Sequence, residues 1–253
     1  MRQHLRELAF QMTGELDALL ASAEPALAGY LTGKLRLVAP PGGGAVACRD
    51  LFTAAGLDDA LAPLLARYPD SDRRAVASLW SLYYFSTLAI APIVLWRRLG
   101  LVLPLTLDDI GMIAAPDTGL PEAFVLPGTG TVVPGLRASE ALRPMIEDHL
   151  RPAIAFMSGH CRLSPRLLWC NAAGYIDWIA RALDPDNDDA EGLELFAKYP
   201  LTDGTDNPLH GSIKRMPVAD GSVQSQRKIC CLRYMLPGIG GCGETCPLPQ
   251  GRA

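Results

Sequence analysis

From Leu79 to Trp96 the chain runs LWSLYYFSTLAIAPIVLW without a charged side chain, and Arg97 and Arg98 close the run. Such a stretch must leave water, and only a bilayer or the middle of a protein core accepts it. Its length stands at the lower edge for a membrane span. Ser81, Tyr83, Tyr84, Ser86, Thr87 and the mid-run Pro92 argue for a protein interior, where hydroxyls find partners. The run therefore reads as a buried core helix, with a peripheral membrane contact through part of it as the second reading. Pro92 is expected to kink or end that helix.

The other segments supply what packs around it. Leu5, Leu8, Met12, Leu16, Leu19 and Leu20 share one face of a helix over 2–22, and a short helix follows Pro25. Leu35–Val38 reads as a strand, 40–44 as a loop, and 57–67 and 72–98 as helices. Ile110–Ala114 and Ala123–Leu126 flank the turn signal Pro116-Asp117-Thr118-Gly119 and predict a hairpin. A helix is expected over 139–157 with Ser139 as N-cap. Another starts at Ser164 and Pro165 and runs to about Leu183. A short acidic helix over 189–198 follows, then two short strands near 213–218 and 226–230. With 253 residues, 49% hydrophobic and 20% charged, the chain has material for a packed core rather than a disordered one. The class is α+β, predominantly helical, with a small hairpin region and a loop-rich C-terminal module. The expected division is a helical body over 1–207 and the module over 208–253.

The net charge of −4 gives no basic surplus for nucleic acid. Acids dominate from Asp184 to Asp206, and bases from Lys214 to Arg233. The plain reading is two solvated surfaces. The sharper one is a basic collar at the C-terminal module that would draw an anionic substrate or an acidic donor protein. The N-terminus alternates charge and apolar residues without the features of a secretory signal, so cytoplasmic residence is expected. There, cysteines serve as thiols or metal ligands rather than disulfides.

Four of the seven cysteines fall near the end of the chain: Cys230 and Cys231 adjacent, then Cys242, then Cys246. Glycines at 238, 240, 241 and 243 let the backbone bend tightly around them. Soft thiolates select zinc, Cu(I) or iron–sulfur clusters. Four cysteines are the complement of a [2Fe–2S] cluster. Zinc sites favour two spaced C-x2-C pairs, and neighbouring side chains in an extended segment point apart. Spacing alone leaves iron–sulfur and zinc both open. Gly238 to Gly243 also spells G-x-G-x-x-G, but prolines follow at 247 and 249 where a dinucleotide site needs a helix, so that reading fails. With no nicotinamide or flavin fingerprint, electrons must come from an outside donor or by a route that the sequence does not display.

The run Arg227-Lys228-Ile229-Cys230-Cys231-Leu232-Arg233-Tyr234-Met235-Leu236-Pro237, followed by Cys242 and Cys246-Pro247, resembles FhuF-type ferric-siderophore reductases. Upstream, Leu167-Leu168-Trp169-Cys170-Asn171-Ala172-Ala173-Gly174-Tyr175 is similar to that family's Leu/Ile-Trp-small-Asn helix. The stretch from Leu201 to Leu209 is similar to the loop leading into its cluster module, and Ser78-Leu79-Trp80 also fits. The resemblance implies a [2Fe–2S] cluster on Cys230, Cys231, Cys242 and Cys246. It also implies one-electron reduction of an Fe(III)–siderophore, of hydroxamate type, at the inner face of the membrane or free in the cytoplasm. The donor would be a ferredoxin or a reductase. Arg227, Lys228, Arg233, Asn171 and Trp169 are the candidates for substrate or donor docking. The chain departs from the family in two places. Three residues rather than two separate Cys242 from Cys246, and position 170 is itself a cysteine.

Core packing is the expectation for Trp169, Tyr175 and Trp178, and core thiols for Cys48 and Cys170. Asn171, an amide in an apolar helix, needs a partner. His160-Cys161 reads as a helix end beside a buried thiol. Two other functions compete: a zinc-stapled interaction protein, and an enzyme of siderophore assembly, which the missing ATP-binding signature argues against.

Overall fold

A computed structural model describes residues 14–39, 44–184, 194–217 and 223–248. It is mixed α+β, about half helical, and built on four long helices: α1 (Ala54–Arg67), α2 (Arg73–Leu99), α3 (Arg151–Cys161) and α4 (Pro165–Leu183). Helix α2 is the uncharged run. It starts at Asp72, whose carboxylate accepts from the Arg74 N–H at 2.8 Å, and stops at Gly100 in the left-handed conformation. It is long and apolar enough to cross a membrane, yet 94% of its most apolar window is buried inside the protein. Its polar side chains are spoken for: Trp80 Nε1 donates to the Gly119 carbonyl at 3.1 Å, and Thr87 Oγ1 to the Pro121 carbonyl at 3.3 Å. The helix runs on through Pro92 to Leu99, against expectation. Its faces are buried on both sides of the proline, so packing outweighs the lost backbone bond, roughly 3 kcal/mol.

Among the described residues, eight short strands make three sheets. Strands β1 (Leu35–Arg36), β2 (Val46–Ala47), β4 (Gly111–Ala114) and β5 (Pro121–Val125) form one in the order β1-β5-β4-β2. The predicted hairpin is its β4–β5 pair, antiparallel, with a register shift at Ile113/Ala114; β1 lies parallel to β5. Strands β3 (Leu101–Val102) and β6 (Thr131–Val132) pair, as do β7 (Ile213–Pro217) and β8 (Val223–Arg227). β8 begins three residues earlier than the sequence suggested.

Two helix expectations need correction. The segment over 139–157 is broken into Ala138–Ala141, Arg143–Met145, a π-helical turn Ile146–Leu150, and α3. Its start is Arg137, whose N–H is accepted by Glu140 at 3.0 Å, while the Ser139 hydroxyl donates to Glu194. The first half of the N-terminal helix lies outside the described residues; 14–23 is helical. Most of the expected acidic helix also lies outside them, and only residue 194 of its described part is helical.

One polar knot sits in the core. The His149 ring is wholly buried, with Nε2 2.6 Å from the Tyr84 hydroxyl and Nδ1 3.1 Å from the Leu105 carbonyl. A proton on Nδ1 satisfies both contacts with a neutral ring. Burial pushes His149 down to about 4 from 6.5. The unfolded chain therefore binds the extra proton first. The full stabilisation holds above pH 6.5 and is lost as pH falls from there toward 4, by about 3 kcal/mol in total. The stability gap between wild type and His149→Phe, read from urea midpoints, is expected to shrink by about that much between pH 7 and pH 4. A constant gap would show that folding leaves the affinity of the ring for its proton unchanged.

Candidate metal centre

The four C-terminal cysteines form one patch of sulfur. Cys231 is buried at its middle, its Sγ 3.1 Å from that of Cys242 and in hydrogen-bonding contact with Cys230. Cys246, also buried, is near enough to Cys230 for its charge to be felt there. Among the described residues, no three His, Cys, Asp or Glu side chains gather into a shell for a single metal ion.

The backbone aims donors at these sulfurs. Leu232 has φ +62°, a left-handed setting uncommon for a non-glycine residue. That turn brings the Leu232 N–H to Cys230 Sγ at 3.4 Å and the Arg233 N–H toward Cys231. Consecutive N–H groups in such a turn form an anion-holding concavity. β8 adds a third donor: Arg227, only 5% exposed, places Nη2 3.3 Å from Cys231 Sγ. Gly174 of α4 makes room for it, since a Cβ there would stand 3.3 Å from Arg227 Cδ. Contacts from the Cys230 and Cys242 thiols, with Arg227 alongside, hold Cys231 far below the usual thiol range. The same contacts, with burial, push Cys230 and Cys242 up. The patch thus favours a thiolate at Cys231, beside a buried guanidinium, and four soft donors there fit an iron–sulfur cluster.

The helical body braces the patch. Ser78 Oγ on α2 donates to the Cys231 carbonyl at 2.7 Å. Asn171 on α4 donates from Nδ2 to both Ser78 Oγ and Ser81 Oγ at 3.1 Å, which is the partner its burial demanded. Gln226 donates to the Cys246 carbonyl at 2.9 Å, and Thr245 to the Cys242 carbonyl at 3.1 Å. The extra residue before Cys246 is taken up in a 3-10 turn, Gly243–Thr245, which Gly243 opens at φ +60° and the Cys246 N–H closes onto the Gly243 carbonyl at 3.1 Å.

Beside Cys242 opens a cleft of about 430 Å3, lined by Asn171, Gly174, Tyr175 and Trp178 of α4, by Tyr30, and by Arg227 and Arg233. Of the docking candidates, Arg227, Arg233 and Asn171 meet there. Lys228 is exposed, and Trp169 is buried in the core at 7% exposure and does not line the cleft. Trp178 corrects the opposite way: expected in the core, it is 43% exposed at the cleft. The basic collar is not one surface, because Arg215 pairs with the buried Asp177 at 2.5 Å. Sequence reasoning missed Tyr30, which no spacing connects to the module. It also missed the i, i+3, i+4, i+7 face of Asn171, Gly174, Tyr175 and Trp178, which helical periodicity does announce. His160 is tied to Asp58 at 2.7 Å, and burial pushes Cys161 up to about 11, so the pair carries no chemistry.

A family model described as ferric iron reductase FhuF-like transporter matches residues 78–221, more than half of the chain. The chain belongs to the FhuF-like ferric iron reductase family. The FhuF-like match begins at Ser78, the residue holding the Cys231 carbonyl, and ends before the cysteines. Family membership thus rests on the body, and the cysteine patch on its own geometry. The ferric siderophore reductase of Escherichia coli (strain K12) is 29% identical over 107 residues, which cover 41% of this chain and 39% of that protein.

Proposed function

We propose that this FhuF-like protein is a ferric-siderophore reductase. It would take single electrons from a donor protein and deliver them, through a [2Fe–2S] cluster on Cys230, Cys231, Cys242 and Cys246, to an Fe(III)–siderophore of hydroxamate type. The observation that carries this reading is a cysteine patch that reaches an open cleft through Cys242, on the body of a ferric iron reductase family. A cluster bound there supplies one-electron redox chemistry.

The chain's own residues do the rest. Arg227 and the N–H groups of Leu232 and Arg233 donate to the ligand sulfurs, which stabilises the more negative, reduced state. Ser78 and Asn171 hold the Cys231 backbone still. Hard oxygen ligands suit Fe(III); once the iron is Fe(II), that match weakens and the metal can leave. The exposed Lys214 and Lys228 suit an acidic donor such as a ferredoxin or a reductase. Cytoplasmic residence, with or without contact to the inner face of the membrane, agrees with seven cysteines left free of disulfides.

The test is a visible and EPR spectrum of anaerobically purified protein, with iron, labile sulfide and zinc measured on the same sample. Iron and sulfide near two each per chain, and an EPR signal only after reduction, are expected, followed by turnover of ferric hydroxamates. One zinc per chain in a colourless sample from iron-replete cells would replace this reading with that of a zinc-stapled interaction protein.

A further inference from the structure

The cleft beside Cys242 carries unspent hydrogen-bonding capacity. Three of the residues lining it each hold a buried polar atom without a partner: Asn171 Oδ1, Arg227 Nε and Arg233 Nε. The Asn171 orientation is fixed by its neighbours. Ser81 gives its hydroxyl proton to the Ser78 carbonyl and Ser78 gives its own to the Cys231 carbonyl, so both oxygens can only accept from the Asn171 amide nitrogen. Oδ1 is thereby left free, on a residue that lines the cleft.

The lining is also unbalanced in charge. It contains two arginines and, among the described residues, no carboxylate. Asp177, on the same helix, is buried and paired with Arg215 and Arg181. Arg227 faces the sulfurs at the inner end, so its charge is largely spent on them. Arg233 is the other cation of the lining. At the rim, Trp178 and Tyr30 are 43% and 41% exposed, and Lys34 Nζ stands over the Tyr30 ring, 5.6 Å from its centroid.

We propose that this cleft seats the organic periphery of the iron chelate and selects chelates of net negative charge. An anionic oxygen meets Arg233, an amide N–H meets Asn171 Oδ1, and carbon lies over Trp178 and Tyr30. The volume is that of a small-molecule site and smaller than a whole chelate, so the periphery enters and the metal stays at the mouth beside Cys242. The inference rests on the reductase reading and adds to it a charge preference set by the outer surface of the chelate, whichever oxygen groups hold the iron. In the step it serves, one electron supplied by the donor protein passes to the chelated Fe(III), giving Fe(II), and no bond to carbon changes.

The experiment uses anaerobically purified holoprotein and three redox-inert Ga(III) chelates of similar size, with net negative, zero and positive charge, titrated calorimetrically. The anionic chelate is expected to bind at least tenfold tighter than the neutral one, and the cationic one most weakly. Arg233→Gln should bring the anionic chelate to the neutral level while Arg233→Lys keeps the order, and Trp178→Ala should weaken all three about tenfold. Melting temperatures of the variants confirm their folding. Equal affinity for the three chelates, or an order unchanged in Arg233→Gln, would overturn the proposal. If the charge order appears in a protein that reduces no ferric chelate, the reductase reading fails alone. If the protein carries its cluster and reduces ferric chelates without that order, the inference fails alone.

Discussion

Cys231→Ser is expected to yield a colourless protein with chelate reduction lowered at least a hundredfold. Serine offers a hard oxygen where the site needs a soft thiolate, and Cys231 is the sulfur that touches both Cys230 and Cys242. The stability cost should also exceed that of Cys230→Ser. Arg227 is buried with its Nη2 on the Cys231 sulfur, and losing the anionic partner leaves a buried charge uncompensated, a penalty of about 3 kcal/mol or more. Cys230 is half-buried and receives only a backbone N–H, so its serine variant should lose the colour with a smaller drop in urea midpoint. The comparison is made by absorbance, reductase assay and urea unfolding on both variants. Retained colour in either one would remove that residue from the ligand set.

The second large effect falls on Arg227→Met, which should keep the colour and lower the reduction potential. Methionine fills much of the space of the arginine stem against Gly174 without the guanidinium. A hydrogen bond from a charged donor is worth about 1.5–3 kcal/mol. Withdrawn from the reduced state more than from the oxidised one, that corresponds to a fall on the order of 100 mV for a one-electron couple. Arg227→Lys keeps the charge but not the planar fork, so an intermediate potential is expected. Potentiometric titration followed by EPR reads the shift directly. An unchanged potential in Arg227→Met would mean that the guanidinium serves packing rather than redox chemistry.

Much of the centre could be read before the fold was known, because its chemistry is carried by residue type. A doubled cysteine, two more within a glycine-rich tail, and Ser164-Pro165 opening a helix are local signals, and each lies where the sequence placed it. The proline inside α2 misled because local backbone cost was set against burial on every face of a 27-residue helix, and burial prevailed. The break over 138–150 was only partly legible: Pro144 marks the start of the Arg143–Met145 turn, but the π-helical turn after it places His149 against Tyr84, a contact made across 65 residues. The cleft was half legible. Its α4 face follows helical spacing, but Trp178 was judged by its distance from Trp169 rather than from Asn171. Tyr30 reaches the same cleft from a short N-terminal helix that no pattern ties to the cysteines.

The hydrogen bond from Ser78 to the Cys231 carbonyl joins residues 153 positions apart. Its neighbours Ser81 and Asn171 come from two helices that must already be packed together before the carbonyl has anything to dock on. Contacts between segments so remote in the chain form late, because the loop between them must first be closed. A cluster held by the four cysteines would therefore be loaded onto a body that has already folded. A newly made chain waiting for iron would be a folded protein whose sulfur patch is already braced from the body, with Cys231 and Cys246 buried and Cys230 and Cys242 partly open to solvent.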